Sequence, residues 1–316
     1  MKRVFSLVQV FAVLLLCVAS LPAQSIHALV PADSTRPMIP CNGSPCDINY
    51  NGGPVFENPP TVYIIYYGTW SSKTTGIINY YFSNLSGTSQ EKINSTYSDS
   101  RNKFITGTLN YNPSKDSYND QYSLGKSLSG DADIHTIVRE AIQGGHLPAD
   151  TNGIYFVLLD RHTTIPNYCN TFCGYHSPAT DIVSGDIIPY AMVGTNSSQC
   201  SGGKTCSATV VDGDGNKSPN NDPTADNAVN IMWHEFSESS SDPYVNLNTA
   251  WSGNFCGEAA DCCAWIFGNL KEGSNGAHYN ETIGSKNFIT QTLLELKTTS
   301  RSGNVPGECE NTYVKP

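Results

Sequence analysis

Hydrophobic positions along the middle of the chain follow two different periods. Runs of β-branched and aromatic residues at 61–67 and 153–160, each bounded by turn-forming residues, predict two buried strands, and a similar run at 187–193 predicts a third. Helix-period stripes of apolar residues predict three helices, at residues 73–85, 132–144 and 224–239, and a last amphipathic segment lies near 288–296. Strands that alternate with helices predict an α/β fold, a single large domain with a mixed sheet flanked by helices.

The two ends of the chain have a different character from this middle part. Residues 1–23 combine the charged start Met1-Lys2-Arg3 with an apolar stretch and then small residues, which predicts a secretory signal peptide. Residues 24–52 are rich in Pro, Ser and Asn and lack periodicity, so we expect an extended lead-in that buries no core. The folded domain is then expected to cover residues 53–316.

Composition narrows the class of protein further. The net charge is −10, and it becomes −12 when Lys2 and Arg3 leave with the signal peptide, which disfavours binding to nucleic acid or anionic lipid. No later apolar run is long enough to cross a bilayer, and the carboxyl end lacks a hydrophobic tail for a lipid anchor. We therefore expect a secreted, extracellular protein with no membrane anchor and no nucleic-acid partner.

The cysteines and glycosylation signals agree with that compartment. Of 11 cysteines, all but Cys17 lie beyond the predicted signal peptide, and the remaining even number predicts five disulfide bonds. Short loops suggest local bridges, Cys41 with Cys46, Cys169 with Cys173 and Cys200 with Cys206, while the other four cysteines are left to pair among themselves. Six Asn-X-Ser/Thr sequons lie in polar segments, at Asn42, Asn84, Asn94, Asn196, Asn216 and Asn280.

One helical stretch carries a candidate metal motif, His-Glu-x-x-Glu at residues 234–238. Residues four apart share one face of a helix, so His234 and Glu238 can present an imidazole nitrogen and a carboxylate oxygen to the same point. Glu235 stands where the zincin pattern His-Glu-x-x-His places its general base, although a glutamate replaces the second histidine. The pattern predicts a zincin-like helix with zinc as the cofactor and Glu235 as the catalytic residue.

A third metal ligand has to come from outside this helix. The acidic loop between Cys256 and Cys262 supplies two candidates, Glu258 and Asp261, and the sequence does not decide between them. Asp242 and His278 are weaker candidates, while His162 and His176 are expected to be ordinary loop or core histidines. The alternative is that His234 and Glu238 are polar residues of a solvated helix face with no ion bound.

Several of these segments together resemble a known family. The matching segments are Gly52-Gly53-Pro54-Val55, the strand from Val62 to Trp70, Tyr168 to His176, Pro219 to Asp222, the 234–238 helix with Asp242-Pro243, and the loop from Glu258 to Cys262. In this order, between Gly52 and Phe288, they resemble the phosphate-induced protein 1 (EXORDIUM-like) family. The resemblance implies secretion to the apoplast or cell wall and a link with growth and cell expansion, and it implies no particular reaction.

Two functions of different classes follow. The first is a zinc-dependent hydrolase that acts on peptide bonds, with His234, Glu238 and one of the two loop acids as ligands. The second is a non-catalytic apoplastic or matrix protein that holds a structural ion or none, in which exposed aromatic residues such as Trp70, Trp251 and Trp265 contact saccharide. The expected partner is accordingly an extracellular peptide or a cell-wall component.

Overall fold

A computed structural model describes most of the chain, namely residues 28–33, 39–44, 46–195, 200–253 and 256–314, without the side chain of Asn42. The predicted signal peptide, the first residues of the lead-in and the sequon at Asn196 lie outside the described residues. No helix in the described ranges is long and apolar enough to cross a membrane.

Sixteen strands of very different lengths occur in the described residues. They are β1 (Ala28–Leu29), β2 (Ala32–Asp33), β3 (Asp47–Tyr50), β4 (Thr61–Tyr67), β5 (Ser117–Asp120), β6 (Gly153–Leu159), β7 (Gly174–Ala179), β8 (Ile188–Gly194), β9 (Lys204–Thr205), β10 (Trp251–Ser252), β11 (Lys271–Glu272), β12 (His278–Tyr279), β13 (Glu281–Ile283), β14 (Lys286–Phe288), β15 (Leu293–Leu296) and β16 (Val305–Glu310). The three predicted strands are confirmed as β4, β6 and β8. The amphipathic segment near 288–296 is strand, and it covers the end of β14 and all of β15.

The described residues also contain four α-helices, α1 (Ser72–Leu85), α2 (Asp131–Gln143), α3 (Ala208–Val211) and α4 (Pro223–Ser241), and four short 3-10 helices. The side chain of Ser71 caps α1 by accepting a hydrogen bond from the backbone N–H of Thr74. Asp222 caps α4 in the same way, and Pro223 occupies its first turn, where no N–H is needed. The three longer helices confirm the helices predicted from periodicity.

A mixed six-stranded sheet forms the centre of the fold, in the order β1-β7-β8-β6-β4-β5. Strands β8, β6, β4 and β5 run parallel, whereas β7 pairs antiparallel with β8, and β1 pairs antiparallel with β7. Helices α1 and α4 pack on one face of the sheet and α2 packs on the other. This confirms the predicted α/β class with a mixed sheet and flanking helices.

Both faces of the central strands are buried, which explains their continuous apolar sequences. In β4, Val62, Ile64 and Tyr66 face the core shared with α1 and α4, and the alternate residues face the core shared with α2. Helix α4 itself is buried all round from Ala225 to Ser241. Because polar side chains along such a helix leave water on folding, each of them needs a partner inside the protein.

A second, four-stranded sheet joins both ends of the chain in the order β10-β3-β16-β15. It includes residues of the predicted lead-in, so the prediction that the lead-in buries no core is wrong. Leu29, Ala32, Cys41 and Ile48 are all buried. Short strands there pair with partners far away in the chain, a contact that no local periodicity reveals.

The structure contains the predicted number of disulfide bonds, but two of the three predicted local bridges are wrong. Cys41 pairs with Cys46 as expected. The remaining bridges are Cys169–Cys200, Cys173–Cys206, Cys256–Cys262 and Cys263–Cys309. The central pairs therefore cross-link two loops to each other instead of closing each loop on itself.

Candidate metal centre

Helix α4 buries three ionisable side chains of the predicted motif in its middle. His234, Glu235 and Glu238 have no solvent exposure. The Nε2 atom of His234 lies 3.1 Å from Oε1 of Glu238, so the predicted shared face of this pair is observed. Gly174 of β7 packs directly on this helix, and a Cβ atom there would lie 2.9 Å from Oε1 of Glu235. A glycine at this position is therefore what allows the helix to approach the sheet so closely.

The acidic loop brings Asp261 to the same pair. Its Oδ1 atom lies 3.5 Å from Nε2 of His234, and its backbone N–H donates to Oε1 of Glu238 at 3.0 Å. The Cys256–Cys262 disulfide closes this loop, which restricts where the acids can lie. One donor atom each from His234, Glu238 and Asp261 lies within 4.8 Å of the others, close enough for all three to coordinate one ion.

Glu258 lies in the same cluster but beside a different histidine. His176, on β7, places its Nε2 atom 3.6 Å from Oε1 of Glu258 and its Nδ1 atom 3.7 Å from Oε2 of Glu238. His176, Glu238 and Glu258 also present donors within 4.8 Å of one another. His176 is a core histidine, one of the two settings expected for it, and its ring lies among the carboxylates of Glu235, Glu238, Asp242 and Glu258.

Sequence reasoning could not find His176, although a partial signal existed. Gly174-Tyr175-His176 lies in a short segment with glycine and proline, which reads as a loop. Only its pairing with β8 makes it a strand whose alternate residues, Gly174 and His176, face α4. An isolated histidine near two cysteines gave no spacing that points to a ligand.

The weaker candidates are divided between two places. Asp242 follows α4 and belongs to the cluster, because it is fully buried and its carbonyl oxygen lies 3.2 Å from Nε2 of His176. His278 lies elsewhere, with Nδ1 3.0 Å from Oδ1 of Asp214 in a more exposed group that also includes Asp212. His278 is thus not brought to α4.

Burial and charge together shift the protonation of the cluster. Burial raises the pKa values of Glu235, Glu258 and Asp261, and it raises that of Asp242 to about 7. For His234 burial acts to lower the pKa, but the neighbouring Glu238 carboxylate outweighs it and raises the pKa to about 10. Within the described ranges, no Lys or Arg forms an ion pair with any carboxylate of the cluster.

The donor set fits a divalent cation. Both carboxylate oxygens of Glu235, Oε2 of Glu238 and both ring nitrogens of His234 are buried and accept or donate no hydrogen bond. Imidazole nitrogen and carboxylate oxygen are ligands that zinc accepts at tetrahedral sites. A bound cation would give these buried atoms a partner, and its positive charge would balance the negative charge of the carboxylates.

Other surface features predicted from the sequence have mixed outcomes. Trp251 and Trp265 are buried, so their predicted exposure is wrong, and only Trp70 remains partly exposed. Asn94 and Asn280 are buried too, and the Asn280 side-chain amide donates to the carbonyl oxygens of Phe267 and Thr290. Their sequons do not offer a glycan acceptor on the folded protein.

Comparison with known proteins gives one family. Residues 48–302 match the model of the phosphate-induced protein 1 conserved region. The chain is 29% identical over 280 residues to protein EXORDIUM-like 3 of Arabidopsis thaliana, covering 78% of this chain and 80% of that protein. It is 27% identical over 267 residues to protein EXORDIUM-like 5 of the same plant, covering 75% and 68%. No solved structure gives a significant match.

Proposed function

The chain belongs to the phosphate-induced protein 1 family, and we propose that it is a secreted extracellular or cell-wall protein, linked to growth or cell expansion, with a metal-dependent hydrolase site. The observation that carries the enzymatic part is the buried cluster on α4, in which imidazoles and carboxylates lie together and, among the described residues, no Lys or Arg pairs with the carboxylates. The disulfide bonds support an oxidising, extracellular compartment.

The residues proposed to hold the metal are His234, Glu238 and Asp261. A zinc ion, when bound, supplies Lewis acidity that polarises a substrate carbonyl and makes a water ligand more acidic. Asp261 is the member of this trio nearest to solvent, with 18% of its side chain exposed. A substrate is therefore expected to approach the site from the side of the acidic loop.

Glu235 is proposed as the general base. Its burial raises its pKa, which brings a carboxylate closer to the range where it takes up a proton near neutral pH. Its Oε2 atom lies 3.5 Å from Nδ1 of His176, which limits the positions the carboxylate can adopt. We propose that Glu235 accepts a proton from the attacking water and passes it to the leaving amine of a peptide substrate.

The test separates metal binding from chemistry. Wild type is first screened against a peptide library for cleavage that a chelator abolishes. Glu235→Gln keeps the size of the side chain but cannot accept a proton, so we expect unchanged metal content and turnover lower by about a hundredfold or more. His234→Ala should lose activity together with the ion that it ligates. Equal cleavage by Glu235→Gln would eliminate this residue as the base.

A non-catalytic matrix protein is the second candidate, and two observations favour it. His234, Glu235, Glu238 and Glu258 are completely buried, as expected for a structural ion. Trp70 lies at the carboxyl edge of the parallel strands and lines two cavities of about 430 and 570 Å³, where an aromatic ring can contact a saccharide. Absence of cleavage by wild type, together with saccharide binding that Trp70→Ala abolishes, would favour this candidate.

A further inference from the structure

Glu238 lies between two sets of metal-ligating side chains. Its Oε1 atom contacts His234 at 3.1 Å and accepts a hydrogen bond from the backbone of Asp261. Its Oε2 atom is turned to the other side, 3.7 Å from Nδ1 of His176, and has no hydrogen bond. The two oxygens of one carboxylate therefore face two different histidines.

The second set, His176 and Glu258 together with Glu238, also has the residue types of a metal site. The side chains of His176 and Glu258 have no solvent exposure, and Nδ1 of His176 makes no hydrogen bond within the described structure. Each comes from a restrained element: His176 from the strand β7, and Glu258 from the loop closed by the Cys256–Cys262 disulfide. Together with Glu238 they offer one donor atom each within 4.8 Å of one another, which repeats the pattern of one imidazole and two carboxylates found on the other side.

The number of carboxylates in the cluster also favours more than one ion. Five carboxylates, from Glu235, Glu238, Asp242, Glu258 and Asp261, surround the two imidazoles, and four of the five are fully buried. With all five ionised and both imidazoles neutral, a single divalent cation would leave most of this negative charge uncompensated in an interior that solvates charge poorly. Two divalent cations would leave a net charge close to neutral.

We propose that Glu238 bridges two divalent cations, one held by His234 and Asp261 and a second held by His176 and Glu258. This rests on the proposed metal site at α4 and extends it to a dinuclear centre. Imidazole with carboxylate on each side favours zinc or a similar divalent transition metal over magnesium or calcium, which prefer all-oxygen shells.

Metal stoichiometry tests this directly. Protein purified without chelator and dialysed against zinc should contain about two ions per chain by elemental analysis, and His176→Asn and His234→Asn should each contain about one. Glu258→Gln serves as a second variant if His176→Asn does not fold, as judged by circular dichroism. His146→Ala, which alters an exposed histidine outside the cluster, should keep the wild-type content.

A spectroscopic measurement shows whether the ions share a ligand. In manganese-loaded wild type we expect the electron paramagnetic resonance signal of a spin-coupled pair, and in His176→Asn the signal of an isolated ion. One ion per chain in both proteins, with an uncoupled signal, would overturn the dinuclear centre. The cleavage assay tests the hydrolase proposal independently. Cleavage by a protein that holds one ion would support the hydrolase and contradict the second metal site. Two coupled ions without cleavage would support the dinuclear centre and contradict the hydrolase.

Discussion

Glu91 is a buried carboxylate that lies outside the cluster on α4. It is 1% exposed, and its Oε2 atom has no hydrogen-bond partner in the described structure. Burial raises its pKa from 4.5 to about 8, against the smaller lowering effects of a hydrogen bond from the backbone of Gly87 and of the charge on Lys92. At neutral pH the folded protein therefore holds a proton on this side chain.

The raised pKa of Glu91 predicts that the free energy of unfolding depends on pH. Between pH 4.5 and about 8 the unfolded chain releases this proton while the folded protein retains it, so Glu91 favours folding most below pH 4.5 and progressively less as pH rises to 8. Glu91→Gln, which carries no titrating group, should raise the free energy of unfolding at pH 8 by roughly 4 kcal/mol relative to wild type. Urea denaturation at pH 5 and pH 8 measures both values.

The matched control for Glu91→Gln is Glu140→Gln, which alters an exposed carboxylate on α2. We expect this change to leave the difference between pH 5 and pH 8 as it is in wild type. A Glu91→Gln protein with an unaltered pH dependence would show that the Glu91 carboxylate is hydrated in solution.

Among the elements, the short strand β1 has a larger role than its length suggests. Leu29 is fully buried, pairs with Gly174, and its carbonyl oxygen accepts a hydrogen bond from the N–H of Cys173 at 2.7 Å. The next carbonyl, of Val30, accepts from the indole N–H of Trp265 at 2.8 Å. Strand β1 thereby covers the edge of β7, the strand that carries His176.

Removing the buried side chain of β1 should have a measurable cost. Leu29→Ala is expected to lower the free energy of unfolding by about 2 to 4 kcal/mol, because it leaves a cavity against the sheet and α4. Val30→Ala alters a side chain that is 56% exposed and should change stability by less than about 0.5 kcal/mol. Chemical denaturation of wild type and both variants measures the free energies of unfolding to be compared. A Leu29→Ala effect as small as that of Val30→Ala would mean that β1 is not docked in solution.

Elements with a strong local period could be predicted from the sequence, whereas those fixed by distant pairing could not. The stripe in α1 and the runs in β4 and β6 encode their own burial, and the structure places their ends within one or two residues of the prediction. Strands β7 and β16 contain glycine and proline, and they depend on β8, β3 and β15 for their hydrogen bonds. Nothing in their own sequence indicates a strand.

The same division applies to the candidate site. His234, Glu235 and Glu238 are linked by helix geometry, so their neighbourhood could be predicted from spacing alone. The choice between the loop acids could not, because it depends on which histidine each one meets: Asp261 lies with His234, and Glu258 lies with His176. The contribution of β7 to the cluster arises only from the tertiary fold.

At the scale of the whole molecule, disulfide bonds hold the elements around the site together. Cys169–Cys200 and Cys173–Cys206 tie the segment before β7 to the segments that follow β8, and Cys263–Cys309 ties the acidic-loop region to β16. Residues from both ends of the chain also share one sheet. The cluster is thus assembled from parts of the chain that covalent bonds keep in place.

Peptide mapping and stability measurements should reveal this arrangement. Non-reducing digestion of the native protein should yield peptides that join Cys173 to Cys206, with no thiol alkylated before reduction. The Cys173→Ala/Cys206→Ala double variant opens a bridge between residues 33 positions apart, so the chain-entropy estimate of the loss is about 3 to 4 kcal/mol. Opening Cys41–Cys46, which spans only 5 positions, should cost about 2 kcal/mol by the same reasoning. Peptides that instead join Cys169 to Cys173 would contradict the cross-linked arrangement and, with it, the restraint that holds β7 and His176 against α4.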